Sequence, residues 1–267
     1  MNLGDVFTDP AVARAYRQRA PYPPETFAIL ERLVVEPRTV LDAGAGNGAL
    51  ARSMIRFARR VDAVDPSVAM IDEGRRLPGG DDPRLHWITG TAEEAPLDPP
   101  YGLISAGSSL HWMDQARVVP RFAAALAPGA RLAILETDDG EHPLPEMVQI
   151  FERYSELTHH TDLPDMLSTI SRPDGVGCRH GSDAALEASG GWFVREGEQR
   201  TAAIGLRRSV EEYLEYLHST STLARVRLGD RADRFDADVR ELFARHRMSF
   251  IERQVVGVVV WGRPVAP

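Results

Sequence analysis

Five short apolar runs alternate with helix-patterned segments across the first half of the chain, and this alternation constrains the fold more than any other feature. The runs are Arg38-Thr-Val-Leu-Asp-Ala, Arg60-Val-Asp-Ala-Val-Asp65, Arg84-Leu-His-Trp-Ile, Tyr101-Gly-Leu-Ile-Ser-Ala and Ala130-Arg-Leu-Ala-Ile-Leu-Glu136. Their length and β-branched content suit buried strands. Leu50, Met54, Ile55 and Ala58 recur at helical spacing after the first run, and Pro66-Ser67 opens a helix after the second. Val118, Val119, Phe122 and Leu126 mark a further helix that leads into the Pro128-Gly129 turn. Strands joined by crossover helices form a parallel sheet covered on both faces, so the expected class is α/β, doubly wound.

The second half adds two strands, Trp192-Phe-Val-Arg and Arg253 to Trp261, with helices over Ser209 to Leu217 and Asp230 to Arg245. A seven-stranded sheet with a helical cap follows, in one domain spanning 1–267. Its expected parts are N-terminal helices at 1–36, a ligand-binding core at 37–160, the sixth strand and cap at 161–252 and the last strand at 253–267.

Composition narrows the chemistry. All 31 basic residues are arginine, which excludes Schiff-base chemistry, a phosphate-cradling lysine and a lysine base. The net charge of −8 counts against nucleic acid as a partner. No apolar run approaches the ~18 residues that span a bilayer, and the N-terminus lacks an apolar signal core. The lone Cys178 excludes an internal disulfide or a Cys-rich zinc site. A cytoplasmic protein without membrane contact is expected. The arginines at 52, 56, 59, 60, 75 and 76 read as solvated helix faces and helix C-termini.

Ligands of a doubly wound sheet sit outside the carboxyl ends of its strands. There the sequence places Asp42 with Gly44, Gly46 and Gly48, then Asp65, then Thr91, Ala92 and Glu93, then Ser-Ala-Gly-Ser-Ser-Leu-His-Trp-Met-Asp. Gly44-Ala-Gly46-Asn-Gly-Ala49, with Asp65 downstream, satisfies the dinucleotide fingerprint. It fits S-adenosylmethionine equally, whose ribose asks for the same carboxylate. Asp42 beside the turn would oppose a pyrophosphate and favour an ammonium. A tight turn without any ligand is the plainer alternative.

Asp98-Pro-Pro-Tyr101 matches a tetrapeptide of enzymes that methylate the adenine amine in nucleic acid. In those enzymes it follows the fourth strand; here it precedes it, and two prolines simply suit a turn. We expect no such chemistry from it.

Taken together, Val40-Leu-Asp-Ala-Gly-Ala-Gly-Asn-Gly-Ala-Leu50, Val61 to Ile71, Gly90 to Leu97 and Ala127 to Glu136 resemble the motifs of class I S-adenosylmethionine-dependent methyltransferases. Tyr16 to Leu30 and Ser108-Ser-Leu-His-Trp-Met-Asp114 are similar to the trans-aconitate methyltransferase-like branch of that family. The resemblance covers roughly residues 6–137. It implies S-adenosylmethionine as cofactor and methyl transfer to a small molecule, with oxygen the favoured acceptor atom and carbon or nitrogen possible. It further implies that Gly44, Gly46 and Gly48 line the methionine and ribose while Asp42 fixes the turn or the amino group. Asp65 would hold the ribose, Pro66, Ser67 and Met70 flank the adenine, and Ala92 and Glu93 meet its edge. Ala106 and Gly107 would lend backbone at the methionine end, with Tyr16 and Arg19 closing over the cofactor. Thr91 departs from the family's aspartate.

Methyl transfer is an in-line displacement, so positioning supplies most of the catalysis. His111, after the fourth strand, is the candidate base or positioning group, against a structural histidine as the alternative. Tyr22, His111, Trp112 and Arg172 are the candidate acceptor contacts, and Asp114 is expected to cap the helix beginning near Gln115. Arg172 and Arg179 can grip a carboxylate, though loop arginines are more often solvated. His159-His160-Thr-Asp162 has no convincing ligand spacing, and no metal is expected. A nicotinamide-dependent oxidoreductase and a non-catalytic cofactor-binding module are the competing functions.

Overall fold

The computed structural model describes residues 3–140, 142–155 and 193–265. Arg172, Arg179, the His159-His160 pair, Cys178 and Trp192 lie outside them. The described residues form two compact units, a sheet unit of 21–137, 193–203 and 256–265, and a helical unit of 3–20, 138–155 and 204–255.

The strands are β1 (Thr39–Ala43), β2 (Arg60–Asp65), β3 (Leu85–Thr89), β4 (Leu103–Gly107), β5 (Leu132–Asp138), β6 (Phe193–Arg200), β7 (Ile204–Ser209) and β8 (Phe250–Pro264). The helices are α1 (Pro10–Ala15), α2 (Pro24–Leu33), α3 (Ala51–Met54), α4 (Val68–Arg76) and α5 (Gln115–Ala125). They continue with α6 (Met147–Tyr154), α7 (Val210–His218), α8 (Arg225–Leu228) and α9 (Ala232–Arg245).

In the sheet unit the order is β3-β2-β1-β4-β5-β8-β6. The first five strands pair in parallel, whereas β6 runs antiparallel to β8. The doubly wound α/β sheet expected from the sequence is present. It gains an eighth strand, β7, which pairs with residues 250–255 of β8 within the helical unit. The segment Ile204-Gly-Leu-Arg-Arg-Ser carries too few apolar residues to announce itself as a strand.

Both faces of the sheet are buried, which is why its strands read as nearly continuous apolar runs. Val40, Leu103 and Leu135 pack with Ile29 and Leu30 of α2 and Met54 of α3. Their neighbours Leu41, Ile104 and Ile134 pack on the other face with Val118, Val119 and Phe122 of α5. Asp114 caps α5 through a 3.1 Å bond from the Ala116 N–H. The helix expected through Ala58 ends at Met54, a single turn, and the chain continues as turns to β2.

The helical unit has its own core. Met147 and Phe151 of α6 meet Tyr213 and Leu217 of α7 and Phe235 and Leu242 of α9. Its helix α7 starts on a complete capping box, in which the Ser209 hydroxyl accepts from the Glu212 N–H and the Glu212 carboxylate accepts from the Ser209 N–H.

Asp98-Pro-Pro-Tyr101 lies at the amino end of β4, as the sequence order requires. Tyr101 is fully buried; its hydroxyl donates to the Asp62 carboxylate at 2.7 Å and accepts from the Asp98 N–H at 3.0 Å. Here the tetrapeptide is a packing device. Tyr101→Phe keeps the ring and removes the donor to a buried carboxylate, so urea unfolding should show a loss of about 1–3 kcal/mol. An unchanged midpoint would mean that Asp62 is satisfied without it.

Candidate active site

The strand order reverses between β1 and β4, so the crevice for a ligand lies at their carboxyl ends. The turn after β1 carries three glycines with left-handed backbone: Gly44 at φ 68°, Gly46 at 56° and Gly48 at 74°. At two of them contact adds to conformation. A Cβ on Gly44 would stand 2.5 Å from the Ser109 Cβ, and one on Gly48 would stand 2.5 Å from the Trp87 ring. Only glycine fits either place.

Asp65 ends β2 with its carboxylate held from two sides. One oxygen accepts from the Gly46 N–H at 2.7 Å and the other from the Ser67 N–H at 2.8 Å. Burial raises its pKa, and the two N–H bonds oppose the rise. Each oxygen retains capacity for a second donor, which is what two neighbouring hydroxyls require.

Asp42 is anchored between two strands and the helix that follows the turn. It is 1% exposed, faces Ser105 across the β1–β4 pairing, and accepts from the Ser105 hydroxyl at 2.8 Å and the Ala51 N–H at 3.1 Å. The carboxylate thus pins the turn from below and occupies the first N–H of α3. A phosphate would look for that helix end, and here it is one turn long with its leading donor spent on the Asp42 carboxyl group.

The segment after β4 is tied on both sides. The Ser109 hydroxyl donates to the Ala43 carbonyl at 2.7 Å, while the Ser108 hydroxyl donates to Glu136 at the end of β5. Ser108 sits at φ 48°, a left-handed conformation costly for a residue with a side chain and frequent at functional sites. Gly107 admits the Tyr22 hydroxyl and a Leu50 methyl so closely that a Cβ would meet them at 2.5 and 2.6 Å. His111 and Trp112 follow on a 3-10 turn, both exposed, with ring centroids 5.0 Å apart.

The sheet unit therefore places Asp42, Asp65 and Gly107 at the carboxyl ends of their strands, and Gly44, Gly46, Gly48, His111 and Trp112 on the segments that follow, with Tyr22 against Gly107. Ser108 and Glu136 join them without having been singled out from the sequence. Their pairing depends on register between two strands, and no local signal marks it.

Met70 is 2% exposed, and its N–H is the group capped by the Ser67 hydroxyl. Pro66 is exposed, and Val68, at 57%, is the apolar side chain that follows Asp65 on the open surface. Ala92 and Ala106 are buried, and the Glu93 carboxylate accepts from the Asp114 N–H at 2.8 Å. Tyr16 and Arg19 belong to the helical unit, where the Arg19 guanidinium stacks 5.0 Å from the Tyr16 ring.

Burial pushes the Asp42 carboxyl up to about 7, with the Ser105 and Ala51 bonds opposing and Asp65 adding to the rise. The folded chain then holds this proton more tightly than the unfolded chain, whose carboxyl titrates near 4. Stability should fall as pH rises from about 4 to about 7 and stay lower above, by a few kcal/mol. Asp42→Asn should flatten that fall, as measured by urea unfolding at pH 5 and pH 8. A wild-type drop in the variant would assign the titration to another group.

Known proteins place this geometry. Residues 40–129 match a family model described as a methyltransferase domain. An uncharacterized methyltransferase of Mycobacterium tuberculosis is 34% identical over 166 residues, covering 61% of this chain and 66% of the relative's length. A trans-aconitate 2-methyltransferase of Variovorax paradoxus is 31% identical over 172 residues, covering 62% of this chain and 64% of the relative. The solved structure of a proposed type II methyltransferase from Anaeromyxobacter dehalogenans shares the fold, with TM-score 0.63 and 22% identity over 93% of this chain and 99% of that one. The glycine turn, Asp65 and strands β2 to β4 all lie within residues 40–129, so this part of the chain is similar to the methyltransferase domain, and the chain spans just under two thirds of the length of these curated relatives.

Proposed function

We propose that the protein transfers the methyl group of S-adenosylmethionine to a small-molecule acceptor, with oxygen the favoured atom. The observation that carries this reading is Asp65. Its two oxygens are aimed by the Gly46 and Ser67 N–H groups and keep acceptor capacity for the two ribose hydroxyls. Asp42 adds support by exclusion, since its carboxylate takes the α3 donor that a dinucleotide pyrophosphate would use. Val68 supplies exposed apolar surface beside Asp65 for the adenine face.

The sulfonium supplies an already activated methyl group. The protein's part is placement: Gly107 and the Tyr22 hydroxyl bound the space after β4 closely, and the Ser109 and Ser108 bonds hold that segment in its conformation. The Variovorax relative is named for a carboxylate acceptor. A carboxylate oxygen has no proton to lose near neutral pH, so no base is needed for it. His111 then serves to orient the acceptor; for a hydroxyl acceptor it is the base.

Calorimetric titration with S-adenosylhomocysteine, with NAD as control, tests the cofactor. We expect binding of the former alone. Asp65→Ala should weaken it by about tenfold or more, and unchanged affinity would remove Asp65 from the site. His111→Ala should lower turnover while leaving cofactor affinity within about twofold. Full activity in that variant would remove His111 from the reaction.

A further inference from the structure

Three serines stand at the carboxyl end of β4, and each sends its hydroxyl proton back into the protein. Ser105 donates to the Asp42 carboxyl group at 2.8 Å, Ser109 to the Ala43 carbonyl at 2.7 Å, and Ser108 to the Glu136 carboxylate. Ser105 and Ser109 are buried, whereas Ser108 and Glu136 are both half-buried and within reach of a ligand. The backbone fixes the pair as well. β4 and β5 run in register to Gly107 and Leu135, and the next N–H, that of Ser108, donates to the Leu135 carbonyl at 2.9 Å. Ser108 and Glu136 thus sit together where the pairing ends, at the strand ends where ligands of such a sheet collect.

A serine hydroxyl has one proton to give. That of Ser108 is committed to Glu136, so toward anything else Ser108 Oγ offers lone pairs only. A carboxylate likewise only accepts. This corner of the sheet unit therefore takes hydrogen bonds, and neither side chain has a proton to offer. A ligand group with an O–H or N–H is favoured there. A carboxylate would set acceptor against acceptor and charge against charge.

The strand order β3-β2-β1-β4-β5 puts Asp65, on β2, on one flank of the β1–β4 crevice and Glu136, on β5, on the other. A cofactor whose ribose is held by Asp65 leaves the β5 flank to its reaction partner. Resting on the methyl-transfer reading, we propose that the Ser108–Glu136 pair sets acceptor specificity: it takes a hydroxyl or amine hydrogen of the methyl acceptor and disfavours an acceptor that presents only carboxylate. The Variovorax relative is named for a carboxylate acceptor, so the pair separates this chain from that substrate class.

The test saturates the full-length protein with S-adenosylhomocysteine and ranks three matched pairs of probes by saturation-transfer NMR: phenol and benzoate, benzyl alcohol and phenylacetate, 1-hexanol and hexanoate. We expect the hydroxyl members to bind more tightly than their carboxylate counterparts. Glu136→Gln, nearly isosteric, removes the charge and brings an N–H donor, and should narrow that preference about fivefold or more. Ser108→Gly suits the φ of 48°, so the protein should fold, and the hydroxyl probes should bind about fivefold more weakly. Both variants should keep S-adenosylhomocysteine affinity within about twofold of wild type, because Asp65 lies on the other flank. No binding of the hydroxyl members, carboxylate members binding as tightly in wild type, or an undiminished preference in both variants would overturn the pair's role while leaving methyl transfer standing. Failure of S-adenosylhomocysteine itself to bind would sink the methyl-transfer reading and the acceptor assignment with it.

Discussion

The carboxylate of Asp42 holds the active end of the sheet together. From the end of β1 it reaches Ser105 on β4 and the first N–H of α3, so one buried group links both strands at the switch point to the helix that follows the glycine turn. A carboxylate buried this deeply resists ionisation. The fold keeps it where its hydrogen bonds do structural work. Gly46 then presents its N–H to Asp65, and the post-β4 segment closes over Ala43 through Ser109. Each of these contacts needs the turn to stay where Asp42 fixes it.

The two units solve burial differently. The sheet unit buries almost purely apolar faces, and the polar groups it encloses, Asp42, Asp62 and Asp65, each have named donors. The helical unit has an apolar cluster of the usual kind around Phe235 and Leu242, and beside it the Arg208 and Arg19 guanidiniums stack on the Tyr216 ring.

Legibility followed the same division. Strands β1 to β5 were readable because burial on both faces makes them short apolar runs, and their carboxyl ends located Asp65, the glycines and His111. The surroundings of other expected contacts were not legible in the chain. Met70 turns into the core, since the helix capped by Ser67 sets its phase, and Val68 takes the exposed position. Glu93 is occupied in bonding the Asp114 N–H. β7 escaped notice because arginine at 207 and 208 masks its alternation.

The sequence by itself determined the α/β class, the crossover rhythm, the glycine turn and the acidic residue after β2, because these depend on local periodicity and on backbone conformations that few residues adopt. It also excluded lysine chemistry outright. Only the tertiary structure decided that Asp42 caps α3, that Ser108 reaches Glu136 across adjacent strands, and that Arg208, Arg19 and His142 surround one pair of tyrosines. Those pairings join residues from 9 to almost 200 positions apart. Strand register and helix packing set such distances, and no local pattern in the chain records them.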